Sequence, residues 1–187
     1  MAQNDHGESK AWPNLVDKEF SEEGKLDIIN FCDTYVLPYM SGARVLGYVP
    51  VKDVTYNKKG YKDPYGNDFR GSALDTNFKN YTIELKNGQI LYFTYFKSGG
   101  GSNTFSMIAV YVDVNGHKGP NKVARDAFLL WYRLNEGRIV PYGYGYSSTT
   151  IKDNCSKNGT HPNHDWFQFC PSRIVQDGWQ ISKDYPW

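Results

Sequence analysis

Between residues 21 and 36, apolar side chains recur at spacings of three and four: Leu26, Ile29, Cys32 (with Phe31 beside it) and Val36. Lys25, Asp27 and Asp33 fall on the opposite side. This is the period of a helix with one apolar stripe, so the segment reads as an amphipathic helix lying on something flat. The helix is predicted from residue 14 to about residue 40, in two pieces. Pro13-Asn14 offers a start, and Gly24 weakens the middle by about 1 kcal/mol relative to Ala. Ser21 caps the second piece, with Glu22 and Glu23 at its positive end. Pro38 stops the helix, because a residue before proline avoids the α region.

Further along, the period changes from three and four to two. Ala43 to Val51 reads as a first extended segment. Residues 52–80 show little periodicity and predict a long loop region with at most short regular pieces. Tyr81, Ile83 and Leu85 then alternate with Thr82, Glu84 and Lys86, the mark of a half-buried strand. Asn87-Gly88 is a hairpin signal in which both turn positions are expected at positive φ. Ile90 to Phe96 pairs back, residues 98–102 form a glycine link, and Phe105 to Val112 and Phe128 to Leu134 give a third and a fourth strand. Asn135-Glu136-Gly137 turns the chain toward Ile139-Val140-Pro141. The expected fold is α+β: a long N-terminal helix packed on an antiparallel sheet of about four strands, followed by a disulfide-bonded C-terminal loop.

Composition narrows the class. At 187 residues one domain is expected, spanning 12–187, with residues 1–11 a disordered terminus or one introduced for expression. A net charge of +1 provides no field for nucleic acid or an anionic membrane. No apolar run is long enough to span a bilayer, and no signal-peptide core follows the start. The chain is rich in Tyr (15), Phe (10), Trp (5) and Gly (18), which suits strands joined by tight turns. Most of these aromatics are expected in a core. The run Tyr142-Gly143-Tyr144-Gly145-Tyr146 fits an interface or a buried turn equally.

Three cysteines divide unequally. Cys155 and Cys170 enclose a loop that a disulfide would stabilise by about 3 kcal/mol, whereas Cys32 sits in the helical stripe as a small buried residue. An exported, oxidising location is the expectation. Asp113, Asn115 and Asp126 are candidate oxygen ligands for calcium, although the spacing is not that of an EF-hand; the same residues also fit Asx turns and loop hydrogen bonds. His161, His164 and Asp165 suggest a transition-metal site that a disulfide would deprive of thiolates. There is no nucleophile elbow, no phosphate-binding loop and no zinc-protease motif. Cys32 and His6 are too differently placed for a thiol hydrolase, and the many carboxylates leave a glycosidase pair open.

One resemblance draws these pieces together. Its carriers are Asp113-Val114-Asn115-Gly116, Lys118-Gly119-Pro120-Asn121, Asp126-Ala127-Phe128, Gly137-Arg138-Ile139-Val140-Pro141-Tyr142-Gly143, the Cys155/Cys170 pair and Arg173-Ile174-Val175-Gln176-Asp177-Gly178-Trp179. With Tyr35-Val36-Leu37-Pro38-Tyr39-Met40, they resemble the globular part of type IV pilins and type II secretion pseudopilins over residues 12–40 and 81–187. The resemblance implies a structural subunit, not an enzyme, that works by filament assembly and contacts other pilin or pseudopilin subunits. It implies an extracellular or periplasmic location, a membrane-anchored precursor whose apolar helix is absent here, and calcium in the loop of some members. Residues 41–80 and the C-terminal tail would then supply subunit contacts, with Tyr142, Tyr144 and Tyr146 at an interface. Two departures stand out: the family's apolar N-terminal helix with its cleavage site is missing, and Ala124 replaces a more usual Gly. The alternative function is a secreted carbohydrate- or protein-binding module using surface aromatics, and a secreted hydrolase stands third.

Overall fold

The computed structural model describes residues 22–69, 73–98, 105–133, 136–157 and 164–186. Six strands follow one another as a meander: β1 (Arg44–Pro50), β2 (Lys79–Glu84), β3 (Ile90–Ser98), β4 (Phe105–Asp113), β5 (Ala127–Arg133) and β6 (Arg138–Pro141). Their order in the sheet is their order in the chain, and every neighbouring pair is antiparallel. Each connection joins adjacent strands, whether it is the tight β2–β3 turn or the long segment between β1 and β2.

The strand period sorts side chains onto two faces. Leu91, Phe93, Ile108 and Val110 pack on one face with Ile28, Phe31 and Cys32 of helix α1 (Glu22–Tyr35). The Tyr81 hydroxyl donates to Asp33 at the helix border, and burial raises the Tyr81 hydroxyl far above the usual tyrosine range. Cys32 is a free, buried thiol, as its place in the stripe requires. Ile90, Tyr92, Ala109, Tyr111 and Leu129 line the other face. Its cover comes from two remote stretches: Val51, Val54, Tyr61, Phe69 and Leu74, and then the disulfide, Phe167 and Tyr185.

The expected architecture needs correction on two points. Among the described residues there is no long N-terminal helix: α1 has 14 residues, and the predicted first piece lies outside the described residues. After Tyr35 the chain tightens into a 3₁₀ turn over Leu37–Tyr39, because Pro38 cannot continue the α ladder. The sheet has six strands, not about four. The extended segment near Ala43 is a full edge strand, and Ile139-Val140-Pro141 belongs to another, paired with Leu130–Arg133. Proline at the end of an edge strand loses no ladder hydrogen bond.

Residues 51–69 and 73–78, expected as a long loop region, pack against the sheet. They fold as α2 (Val51–Val54), a 3₁₀ turn at Tyr56–Lys58 and isolated bridges. Tyr61, Phe69 and Leu74 are nearly inaccessible. Each such side chain contributes roughly 1.5–3 kcal/mol by leaving water, which is what orders a segment with no periodic pattern.

The β2–β3 hairpin forms where Asn87-Gly88 predicts it, though with a different turn. Gly88 alone is left-handed (φ 85°), and the Leu85 amide donates to the Gln89 carbonyl (2.8 Å). This is a type I turn closed by a left-handed glycine, so Asn87 keeps an ordinary φ. The next loop packs on it: a β-carbon on Gly116 (φ 61°) would collide with the Gly88 carbonyl oxygen. Gly116→Ala should therefore lower the unfolding free energy by about 2 kcal/mol or more. Urea titration would measure this, and a loss under about 0.5 kcal/mol would mean that the two loops separate freely.

Candidate functional site

Three clusters concentrate the residues that the sequence singles out. The first surrounds the end of β4. Asp113 is fully buried; its Oδ1 accepts the amides of Asn115 (3.0 Å) and Gly116 (2.9 Å), and its Oδ2 accepts the Tyr61 hydroxyl. The Tyr92 hydroxyl lies 3.1 Å from that of Tyr61 and completes a buried relay. Asp126 stands close by, with its Oδ2 accepting the Lys122 amide (2.9 Å) and its carbonyl accepting the Val114 amide (2.8 Å). The fold thus brings Asp113, Asn115 and Asp126 together, but turns both carboxylates toward N–H and O–H donors. The Asn115 Oδ1 is buried without a partner. Among the described residues, no three His, Cys, Asp or Glu side chains converge on one point. Arranged this way, the two carboxylates act as loop scaffolding.

Burial pushes the Asp113 carboxyl up to about 6, against the three hydrogen bonds that favour its ionised form, and Asp126 adds to the rise. The folded protein therefore holds this proton more tightly than the unfolded chain. The resulting stability is fully present below about pH 4 and is lost as pH climbs through 6. The gap of about two units corresponds to about 3 kcal/mol. Relative to wild type, Asp113→Asn should gain up to that amount between pH 4 and pH 7 in chemical denaturation. A difference that stays flat with pH would mean that Asp113 is ionised in the fold throughout.

The second cluster is the tail. Cys155, just after α3 (Ser148–Asn154), is bonded to Cys170, which opens α4 (Cys170–Gln176). The pairing predicted from the sequence is thus present. Behind it lies Arg173, only 2 % exposed. Its guanidinium donates to the Cys155 carbonyl, to Ser182 Oγ and Asp184 Oδ1 (both 2.6 Å) and to Asp177 Oδ2 (3.3 Å). The same guanidinium holds the Asp184 carboxyl below the usual range. Tyr185 then plugs the core, its hydroxyl donating to the Ala124 carbonyl (2.5 Å). In the sequence Arg173 stands out only as part of the Arg173–Trp179 stretch. The signal for its role was Asp177 four residues later, the spacing at which opposite charges meet on a helix.

The third cluster is aromatic. Trp131, Tyr142 and Phe169 stack edge to face at 4.7 and 4.8 Å, and Tyr146 joins Phe169 at 5.3 Å. Tyr144 lies beneath two guanidinium groups, Arg133 at 5.5 Å and Arg138 at 4.8 Å. Of the predicted interface trio, Tyr144 and Tyr146 are exposed and Tyr142 is half-buried. His6 and His161 lie outside the described residues.

A fourth feature was not anticipated. The helix-side face of the sheet continues past the cover of α1 as an open groove of about 480 Å³. Its floor includes Val112, Phe128 and Leu130, and α4 walls it with Pro171 and Ile174. Trp179 stands at its rim, 78 % exposed. No helix among the described residues is long and apolar enough to cross a membrane.

The family model described as "Family of unknown function (DUF6613)" matches residues 1–187. The chain belongs to DUF6613. No curated protein and no solved structure matches it. What this DUF6613 protein offers chemically is two kinds of contact surface, the apolar groove and the aromatic–arginine cluster, built over a tail that a disulfide and a buried arginine hold in place.

Proposed function

We propose that the protein is a non-enzymatic structural subunit of an exported assembly, similar in role to type IV pilins and type II secretion pseudopilins, acting through surface contacts. The observation that carries this reading is the groove, whose concave lining of Val112, Phe128, Leu130 and Ile174 offers a partner an apolar seat. The resemblance-bearing residues give further support, because they gather at this end of the fold. Val112 and Phe128 of the groove flank the Asp113–Asp126 loop, and Ile174 and Trp179 belong to the tail. The Cys155–Cys170 bond fits an oxidising compartment.

Antibodies raised against the folded domain test the proposal in native cells. It expects label on sheared surface filaments or in a periplasmic assembly, with Cys155 and Cys170 resistant to alkylation until reduced. Cytoplasmic label with both thiols reactive would overturn it.

A second reading, a module that binds carbohydrate or protein through aromatics, is favoured by the exposed Tyr144 and Tyr146 beside Arg133 and Arg138. Exposed rings with adjacent donors suit stacking on a sugar face. Glycan-array binding that disappears in Tyr144→Ala would support this reading over the first.

A further inference from the structure

We infer that the groove beside α4 is the seat of a second copy of this chain, each copy inserting its Trp179 into the groove of the other. The pairing stands apart from the filament reading, since a twofold contact serves a free dimer as well as a larger assembly.

The first observation is the state of Trp179. Among the described residues it is the most exposed large hydrophobic side chain, at 78 %, and its backbone is left-handed, φ 64°. A bulky residue adopts that conformation only where its surroundings impose it, and such outliers gather where a protein binds something. Here the end of α4 imposes it. The Asp177 amide donates to the Arg173 carbonyl (2.9 Å), Gly178 to Val175 (3.2 Å) and Trp179 to Ile174 (2.8 Å). With Arg173 itself locked by Asp177 and Asp184, the indole projects from a fixed base. Little ordering remains to oppose its burial in a partner.

The second observation is the match between knob and hole. The groove is lined wholly by apolar side chains, and its volume of about 480 Å³ accommodates an indole ring. Knob and hole share one patch of surface. A contact in which Trp179 of each copy enters the groove of the other is therefore closed and isologous, and leaves no free groove to propagate. Trp179 is itself part of the groove's lining, so two copies brought together here cover groove and indole in one contact.

Charge is the third consideration. A twofold contact sets each charged group near its own copy, so like charges at the rim would oppose it. Gln176 and Gln180 are exposed and neutral, Asp177 is paired with Arg173, and Arg138, next to Ile139 on β6, is paired with Glu136 at 2.6 Å. Nothing among these groups repels its symmetry mate.

Size sets the strength. One Trp hides about 150–250 Å² of the roughly 800 Å² per partner that a standard contact buries. Exposed Ile139 and Val175, 59 % and 41 % accessible, extend the patch, and the pair should dissociate on the order of micromolar.

Sedimentation velocity on the full chain, from about 1 to 500 μM, tests the pairing with two variants. Wild type should move from monomer to dimer across this range. Trp179→Gly removes the knob while relieving the left-handed strain, so it should melt no lower than wild type and yet weaken pairing at least about tenfold. Ile139→Glu, on an exposed strand position, should do the same with the indole intact. A wild type that stays monomeric throughout would overturn the inference, including the case in which its Trp179 emission is shielded, which would mean an occupant from the same chain. A dimer untouched by both variants would equally overturn it, by placing the contact elsewhere.

Discussion

Arg173→Met should lower the unfolding free energy by about 3–5 kcal/mol, the range found when one member of a buried ion pair is removed. For a chain of this length that is roughly a 10 °C fall in melting temperature. The size follows from what the guanidinium serves: the Cys155 carbonyl, Ser182, Asp177 and Asp184 all depend on one group that is 2 % exposed. Met keeps most of the apolar stem but cannot donate, so the Cys155 carbonyl loses a donor in a place that water does not reach. Asp184→Asn is the control. That carboxylate is 56 % exposed and can be hydrated when the pair is lost, so it should cost less than about 1 kcal/mol. If both variants melted alike, Arg173 would be acting only through Asp184.

Cys155→Ala with Cys170→Ala should cost about 3 kcal/mol, the loop-closure entropy of a 15-residue separation. Both sulfurs are inaccessible, so reductant should leave the native melting curve unchanged over short exposures and act only once the tail opens. The two effects should not add. Arg173 bonds the carbonyl of a disulfide cysteine, and residues that share one network couple by about 0.5–3 kcal/mol. The triple variant should therefore lose less than the sum of the separate losses, as measured by guanidinium titration.

How much of this was legible follows from how local each cause is. The β2–β3 hairpin and β4 could be read because one face of each is apolar and the alternation runs unbroken. At Gly47 the register of β1 shifts, which interrupts its alternation, and β6 has four residues between Gly137 and the end of the strand. Tyr61, Phe69 and Leu74 lie isolated in a polar stretch, and only contact with the far face of the sheet buries them, which no window of sequence can show. The disulfide needed nothing beyond two spaced cysteines. The groove is the opposite case: its walls come from β4, β5, β6 and α4, positions up to 67 residues apart between Val112 and Trp179, so it exists only once the sheet is assembled.

The sheet face opposite α1 also has a consequence for the order in which the molecule can be completed. Its strands pair with their immediate neighbours and can form as they emerge from synthesis. Its cover, however, joins Tyr61 and Phe69 to Tyr185, which comes far later in the chain. Until Tyr185 has left the ribosome, Tyr92, Tyr111 and Leu129 have no complete lid, and apolar surface of that kind recruits other chains. The growing polypeptide thus carries one finished face and one open face from the completion of β5 until Tyr185 arrives and ends that exposure.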